Sequence, residues 1–196
     1  MTIWFTADQH FGHENIIKYC HRPFASVEEM DAALIQKWND VVQEGDTVWH
    51  LGDLSYKASG TKVMDVLYQL NGTIRLLYLP WHHDKQWIDD LRLFDVSVFE
   101  QWLPIDCKKD KALKFDPPLT VLKLPDLPVI TLSHYPMASW EASFHGAWHL
   151  HGHSHGMYHA LGKLLDVGVD NCNYTPISLE EVVAYMETMQ QPVFDL

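Results

Sequence analysis

Cysteine is scarce. Cys20, Cys107 and Cys172 are the only three in 196 residues, odd in number and without Cys-x-x-Cys spacing. That pattern excludes a disulfide-stapled scaffold and a thiolate-lined structural zinc site, and reads as free thiols in a reducing compartment. Positive charge is also short: 14 Lys and Arg face 26 Asp and Glu, a formal net charge of −12. Extended nucleic acid is therefore not an expected partner, because its backbone is held by Lys and Arg. A phosphate substrate stays open, since bound metal ions supply positive charge locally. No apolar run approaches membrane-span length. The start, "MTIWFTAD", lacks a basic stretch and meets Asp8 too early for a signal peptide. A cytoplasmic enzyme or binding protein with no membrane partner is expected. No repeat, low-complexity tract or linker divides the chain, so residues 1–196 read as one domain.

Histidine, by contrast, is plentiful at 13 residues, and "HLHGHSHG" places His149, His151, His153 and His155 at every second position. A strand turns alternate side chains to one face, so all of these could point the same way. The surrounding pattern narrows that reading. "TIWFTAD", "DTVWHLGD" and "TIRLLYLP" read as short buried strands. Between them, Ser26 to Val42 is helical, with Val27, Met30, Leu34, Trp38 and Val41 on one face and capping-box spacing at Ser26 and Glu29. A second helix is expected around Lys62 to Leu70, stopped by Gly72. This alternation predicts βαβ units. Further strands are expected in "FDVSVFEQWLPIDC", "PLTVLKL", "PVITLSH", "AWHLHGHSH" and "KLLDVGVD". Lys108, Lys109, Lys111 and Lys114 read as solubilising an exposed hairpin, and Ser178 to Met189 as a closing helix. The expected class is α/β, with mixed sheets covered by helices.

Metal-capable side chains collect where these strands end. Asp8 and His10 follow the first, Asp53 the second, and His82, His83 and Asp84 the third. His134 follows "PVITL", and His153 and His155 follow "AWHLH". Ligands of open α/β sheets sit just beyond the carboxyl ends of the strands, so these residues are expected to share one cleft. A single His-Asp neighbour pair is usually packing or surface chemistry; this many strand ends of one composition is not. Carboxylates and imidazoles without thiolates suit Mn, Fe, Zn or Ni. The candidate ligands outnumber the needs of one ion and fit two ions about 3.5–4 Å apart, a pair suited to phosphoester hydrolysis.

Asp8-x-His10, Gly52-Asp53, His83-Asp84, His134 and Gly152-His153-Ser154-His155 follow the order and spacing of the calcineurin-like metallophosphoesterases, which the chain resembles over nearly its whole length. The resemblance implies a sandwich of two mixed β-sheets flanked by helices, with two divalent ions, Mn favoured, at its crest. It implies that Asp8, His10 and His155 hold the first ion, that Asp53 bridges, and that His134 and His153 hold the second. His83 would contact phosphate or protonate the leaving oxygen, with Asp84 orienting it. The implied activity is hydrolysis of a small phosphoester by a metal-bridged hydroxide, a nucleotide-type diester being slightly favoured over a monoester.

One block departs from the family. Its Gly-Asn-His pattern is Trp81-His82-His83 here. Either His82 replaces the Asn as a ligand of the second ion or that site is weakened, and a non-catalytic or impaired metal-binding module is the alternative function. A binuclear hydrolase of amides or lactones fits the block order less well. Arg22, in "HRPF", is a candidate clamp for substrate phosphate against the blander reading of a surface ion pair. His13 either orients His10 or marks a helix start. Asp170 and Asn171 either support the histidines or close a turn. Trp140 and Trp148 are candidates for stacking a nucleobase, with core packing as the alternative. His149 and His151 are assigned to packing or to support of the ligands.

Overall fold

In the computed structural model, residues 1–79, 82–94, 105–107, 111–158 and 162–189 are described. Among these residues, ten strands form two mixed sheets. The larger has six strands in the order β10-β1-β2-β3-β5-β4, with β1 at Ile3–Thr6, β2 at Thr47–His50, β3 at Thr73–Leu77, β4 at Ile105–Cys107, β5 at Lys111–Asp116 and β10 at Ile177–Ser178. Its centre, β1-β2-β3-β5, is parallel, and antiparallel β10 and β4 close the two edges. The smaller sheet is β6-β7-β8-β9, at Leu119–Leu122, Ile130–Ser133, Trp148–His151 and Leu164–Asp166. Only β6 runs against its neighbour there.

Both faces of the large sheet are buried, which is why its strands read as continuous apolar runs. Val48, Ile74, Leu76 and Leu113 face the helices: α2 (Val27–Val41) brings Met30, Leu34 and Trp38, α3 (Gly60–Leu67) brings Val63 and Leu67, and α4 (Lys85–Phe94) brings Trp87 and Ile88. One residue along each strand, Phe5, Trp49, Leu51 and Leu77 face Ile130, Leu132, Trp148 and Leu150 of the small sheet. Val182 and Met186 of α5 (Leu179–Thr188) close that second layer. The expected two mixed sheets with flanking helices are therefore observed.

The helix ends follow local chemistry. The Ser26 hydroxyl accepts the Glu29 amide, and Ser178 and Glu181 make a complete capping box. Four elements differ from what the sequence pattern predicts. The second helix lies earlier, at Gly60–Leu67, because Ser59 caps it by accepting the Lys62 amide. A short α1 (Glu14–Tyr19) and the amphipathic α4 are additional. The Lys-rich segment does form a hairpin, but β5 is inserted beside β3 rather than standing clear of the sheet. Lys108, Lys109, Trp81 and most of "FDVSVFEQWL" lie outside the described residues. Among the described residues, no helix is long and apolar enough to cross a membrane.

Candidate metal centre

The parallel strands deliver their carboxyl ends to one edge of each sheet, and the two edges meet. The Gly152 amide, just past β8, donates to the His134 carbonyl beyond β7 (3.0 Å). The His153 amide donates across the sandwich to Asp8 Oδ2 (2.8 Å), and His134 Nδ1 donates to the Leu51 carbonyl (3.1 Å). Small residues permit this approach. A Cβ on Gly152 would lie 2.5 Å from Ala7 Cβ and 2.7 Å from Asp8 Oδ2; one on Gly52 would lie 2.8 Å from His134 Nδ1.

Among the described residues, side-chain donors gather into four groups, the ligand atoms of each lying within 4.8 Å of one another. One joins Asp53, His82 and Asp84, and another Cys20, His155 and Asp170. The other two unite expected ligands: Asp8, His10 and His155, and Asp53, His134 and His153. Asp53 stands between them. Its Oδ2 is 3.6 Å from both His10 Nε2 and His134 Nε2, and its Oδ1 is 2.5 Å from His82 Nδ1. Five of these residues have left-handed backbones: Asp8 (φ 64°), His10 (55°), Asp53 (58°), His153 (69°) and His155 (46°). Non-glycine residues seldom adopt that region unless their surroundings impose it, and such strain gathers at functional sites.

The donor set fits divalent cations. Asp8 Oδ1, both nitrogens of His10, Asp53 Oδ1 and His82 Nδ1 are buried without a hydrogen-bond partner, although the last two are close to each other. Orphaned buried donors of this kind carry a desolvation cost unless something coordinates them. Two imidazoles are already oriented. His134 gives its Nδ1 proton to Leu51, and His155 gives its own to Asp170 Oδ2 (2.6 Å), so each turns Nε2 inward as metal-binding histidines do. Their charge states differ. Burial pulls His134 down to about 3 and holds His10 well below the usual range, leaving both neutral and ready to ligate. Burial also acts to lower His155, but the Asp170 hydrogen bond, Cys20 and the Asp8 charge outweigh it and raise His155 to about 10. Burial pushes Asp8 well up, whereas for Asp53 burial is overcome by the surrounding His82, His10 and His134, which lower it.

All seven residues expected as metal ligands are thus brought together, His82 among them. Two other expected roles are corrected. Arg22 is not a phosphate clamp. Its side chain is 0% exposed, and its N–H groups point to Asp170, to the carbonyls of Asp8 and Gln9, and to Met30 Sδ. Asp84 does not orient His83. Its carboxylate accepts from the Leu54 and Ser55 amides (3.2 and 3.0 Å) and from Trp87 Nε1 (2.8 Å), bracing the loop after Asp53 against α4. His83 is instead contacted edge-on by Tyr56, with ring centroids 4.7 Å apart, and Tyr56 stacks on His13 at 3.9 Å. Trp148 is core, and Trp140 is tied to the Ala147 carbonyl. His149 and His151 are buried; Nδ1 of His149 donates to the Thr131 carbonyl and that of His151 to the Gly152 carbonyl. Of the turn residues, Asp170 supports His155. Asp166, which no sequence motif marks, accepts from Ser154 Oγ (2.7 Å) and the Gly156 amide (3.0 Å) and so fixes the histidine loop. Its other oxygen accepts the Gly168 amide (2.8 Å), where a Cβ would lie 2.7 Å from Asp8 Oδ2.

No protein-family model matches the chain. A segment of 53 residues, 26% of this chain and 25% of its counterpart, is 49% identical to the Gene 66 protein of Mycobacterium phage L5. Among solved structures, a protein of unknown function from Aquifex aeolicus, AQ665, superposes with a TM-score of 0.64 at 20% identity, covering 94% of this chain and 98% of that one. At that identity the likeness concerns the fold. A stronger relation comes from Methanocaldococcus jannaschii, whose uncharacterized protein MJ1445 is 32% identical over 187 residues, 94% of this chain and 91% of that protein. The chain belongs to the same family as MJ1445.

Proposed function

We propose that the protein is a dinuclear metal-dependent phosphoesterase of the calcineurin-like kind, acting in the cytoplasm on a small phosphoester. The observation that carries this reading is the convergence of Asp8, His10, Asp53, His82, His134, His153 and His155, with buried and unpartnered donor atoms, on one edge of the sandwich. Two divalent ions held there, Mn in first place, would supply positive charge for the phosphate oxygens and would acidify a bound water.

The remaining roles belong to the protein. Asp53, central to both groups, holds them at a fixed separation. His83 is exposed beside His10, ring centroids 5.8 Å apart, where it donates a proton to the departing oxygen. Tyr56 keeps its ring from swinging away. A groove of about 480 Å³ takes in His82 and His83 and is lined further by Tyr56, Lys57, Lys85 and Gln86, with Asp89 and Asp90 as its acidic members. On this reading the groove would receive the departing alcohol. The groove is open and large enough for more than a methyl ester, which favours diesters with a nucleotide-sized arm. His82 beside Asp53 favours a complete second ion site over an impaired one.

The test is elemental analysis after Mn²⁺ loading, followed by assays on p-nitrophenyl phosphate and its bis ester. About two ions per chain and hydrolysis abolished by chelation are expected. Failure to hydrolyse either ester refutes the enzymatic reading, and hydrolysis that His83→Ala leaves unchanged refutes the role given to His83; about one ion per chain supports the impaired module instead.

A further inference from the structure

Arg22 donates through every N–H it owns. Nε and Nη2 bond Asp170 Oδ1 and Oδ2, each at 2.8 Å; Nη2 also reaches the Asp8 carbonyl (2.7 Å), and Nη1 reaches the Gln9 carbonyl (2.8 Å) and Met30 Sδ (3.4 Å). A buried guanidinium demands such full satisfaction, and its planar fork matches a carboxylate as no lysine can. The partners are not a random sample of the neighbourhood. Asp8 is a ligand, Gln9 joins it to the ligand His10, and Asp170 holds the ligand His155 by Nδ1 at 2.6 Å. Every member of the Asp8-His10-His155 group is thus Arg22's partner or adjoins one. Asp53, His134 and His153 are not among Arg22's partners in the described residues.

We infer that Arg22 and Asp170 are positioning residues that set the ion affinity of the Asp8-His10-His155 site selectively, an inference that rests on the dinuclear reading above. Two physical effects combine. Arg22 pins the carbonyls of Asp8 and Gln9, whose segment carries left-handed Asp8 and His10 (φ 64° and 55°), so the strained turn is held before any ion arrives. Asp170, itself locked by the fork, fixes the ring plane and tautomer of His155 and raises its basicity as a ligand. Cys20 lies near His155 and Asp170 and completes a group of metal-capable atoms. That group is the relay seen from its outer side: Asp170 has already committed both oxygens to Arg22 and His155.

The experiment is a stepwise Mn²⁺ titration of the whole protein against a competing chelator, with His155→Ala and His134→Ala assigning the two steps. Arg22→Lys keeps the charge and loses the fork; Asp170→Asn keeps the shape and loses the charge, and carries the test alone if the lysine variant does not fold. Each is expected to weaken the step removed by His155→Ala by about 10–100-fold and to leave the step removed by His134→Ala within about threefold. Equal weakening of both steps, or no change in either, overturns the inference while leaving the dinuclear reading standing. A wild-type protein that takes up no ion overturns both.

Discussion

Adding one methyl group where the two sheets meet should separate them. In Gly152→Ala the new Cβ would sit 2.5 Å from Ala7 Cβ and 2.7 Å from Asp8 Oδ2, with Asp8 Cγ at 3.3 Å. Carbon atoms rest about 3.5–4.0 Å apart, so the end of β8 must retreat from the end of β1 by about 1 Å. Neither neighbour can give way easily: Ala7 and Asp8 are fully buried. Overpacking of this kind costs about 1–3 kcal/mol. For a chain of this size that lowers Tm by about 2–12 °C. The shift also lengthens the 2.8 Å bond from the His153 amide to Asp8 Oδ2, so ion binding should fall along with stability. Gly45→Ala is the control, since a Cβ there meets nothing within 4 Å. Calorimetry and ion stoichiometry on both variants check the reasoning. A Gly152→Ala protein with the wild-type Tm and full ion content would refute it.

Other outcomes follow from single groups. His83→Ala should lower kcat by about 10²–10⁴-fold with ion content unchanged, since under the proposed function it removes a proton donor and no ligand; steady-state kinetics with elemental analysis check this. His155, raised to about 10 chiefly by Asp170 against the lowering effect of burial, keeps its proton in the ion-free protein at neutral pH. Potentiometric titration should therefore record proton release as its site fills, with affinity there rising by about tenfold per pH unit between pH 7 and 9. The sign for stability is the reverse: the folded state holds this proton above the unfolded pKa of about 6.5, so its contribution is lost as pH rises from there through about 10. Ion-free His155→Gln should show a flatter fall of Tm over that window. Trp38→Ala, which empties a fully buried position under the large sheet, should cost about 3–5 kcal/mol by denaturant unfolding without touching the candidate metal site.

The alternation of apolar residues is a short-range signal, and it specified β1, β2, β3, α2 and the closing helix because each buries its own pattern locally. The donors at the strand ends were legible for the same reason: Asp8, His10, Asp53, His134, His153 and His155 announce themselves by residue type and by position just after a strand. What α4 and β5 would do was not legible, because their apolar faces matter only against α3 and β3. The largest revision concerns Arg22. In the sequence it is a charge before a proline, at home on any surface. In the fold its partner Asp170 lies 148 residues away, and the pair is sealed under the loops that carry Asp8 and His155. Residue type and spacing thus determined which atoms could bind ions. Only the meeting of the two sheets decided which charges turn inward to hold those atoms, because a hydrogen-bond partner distant in sequence leaves no periodic trace.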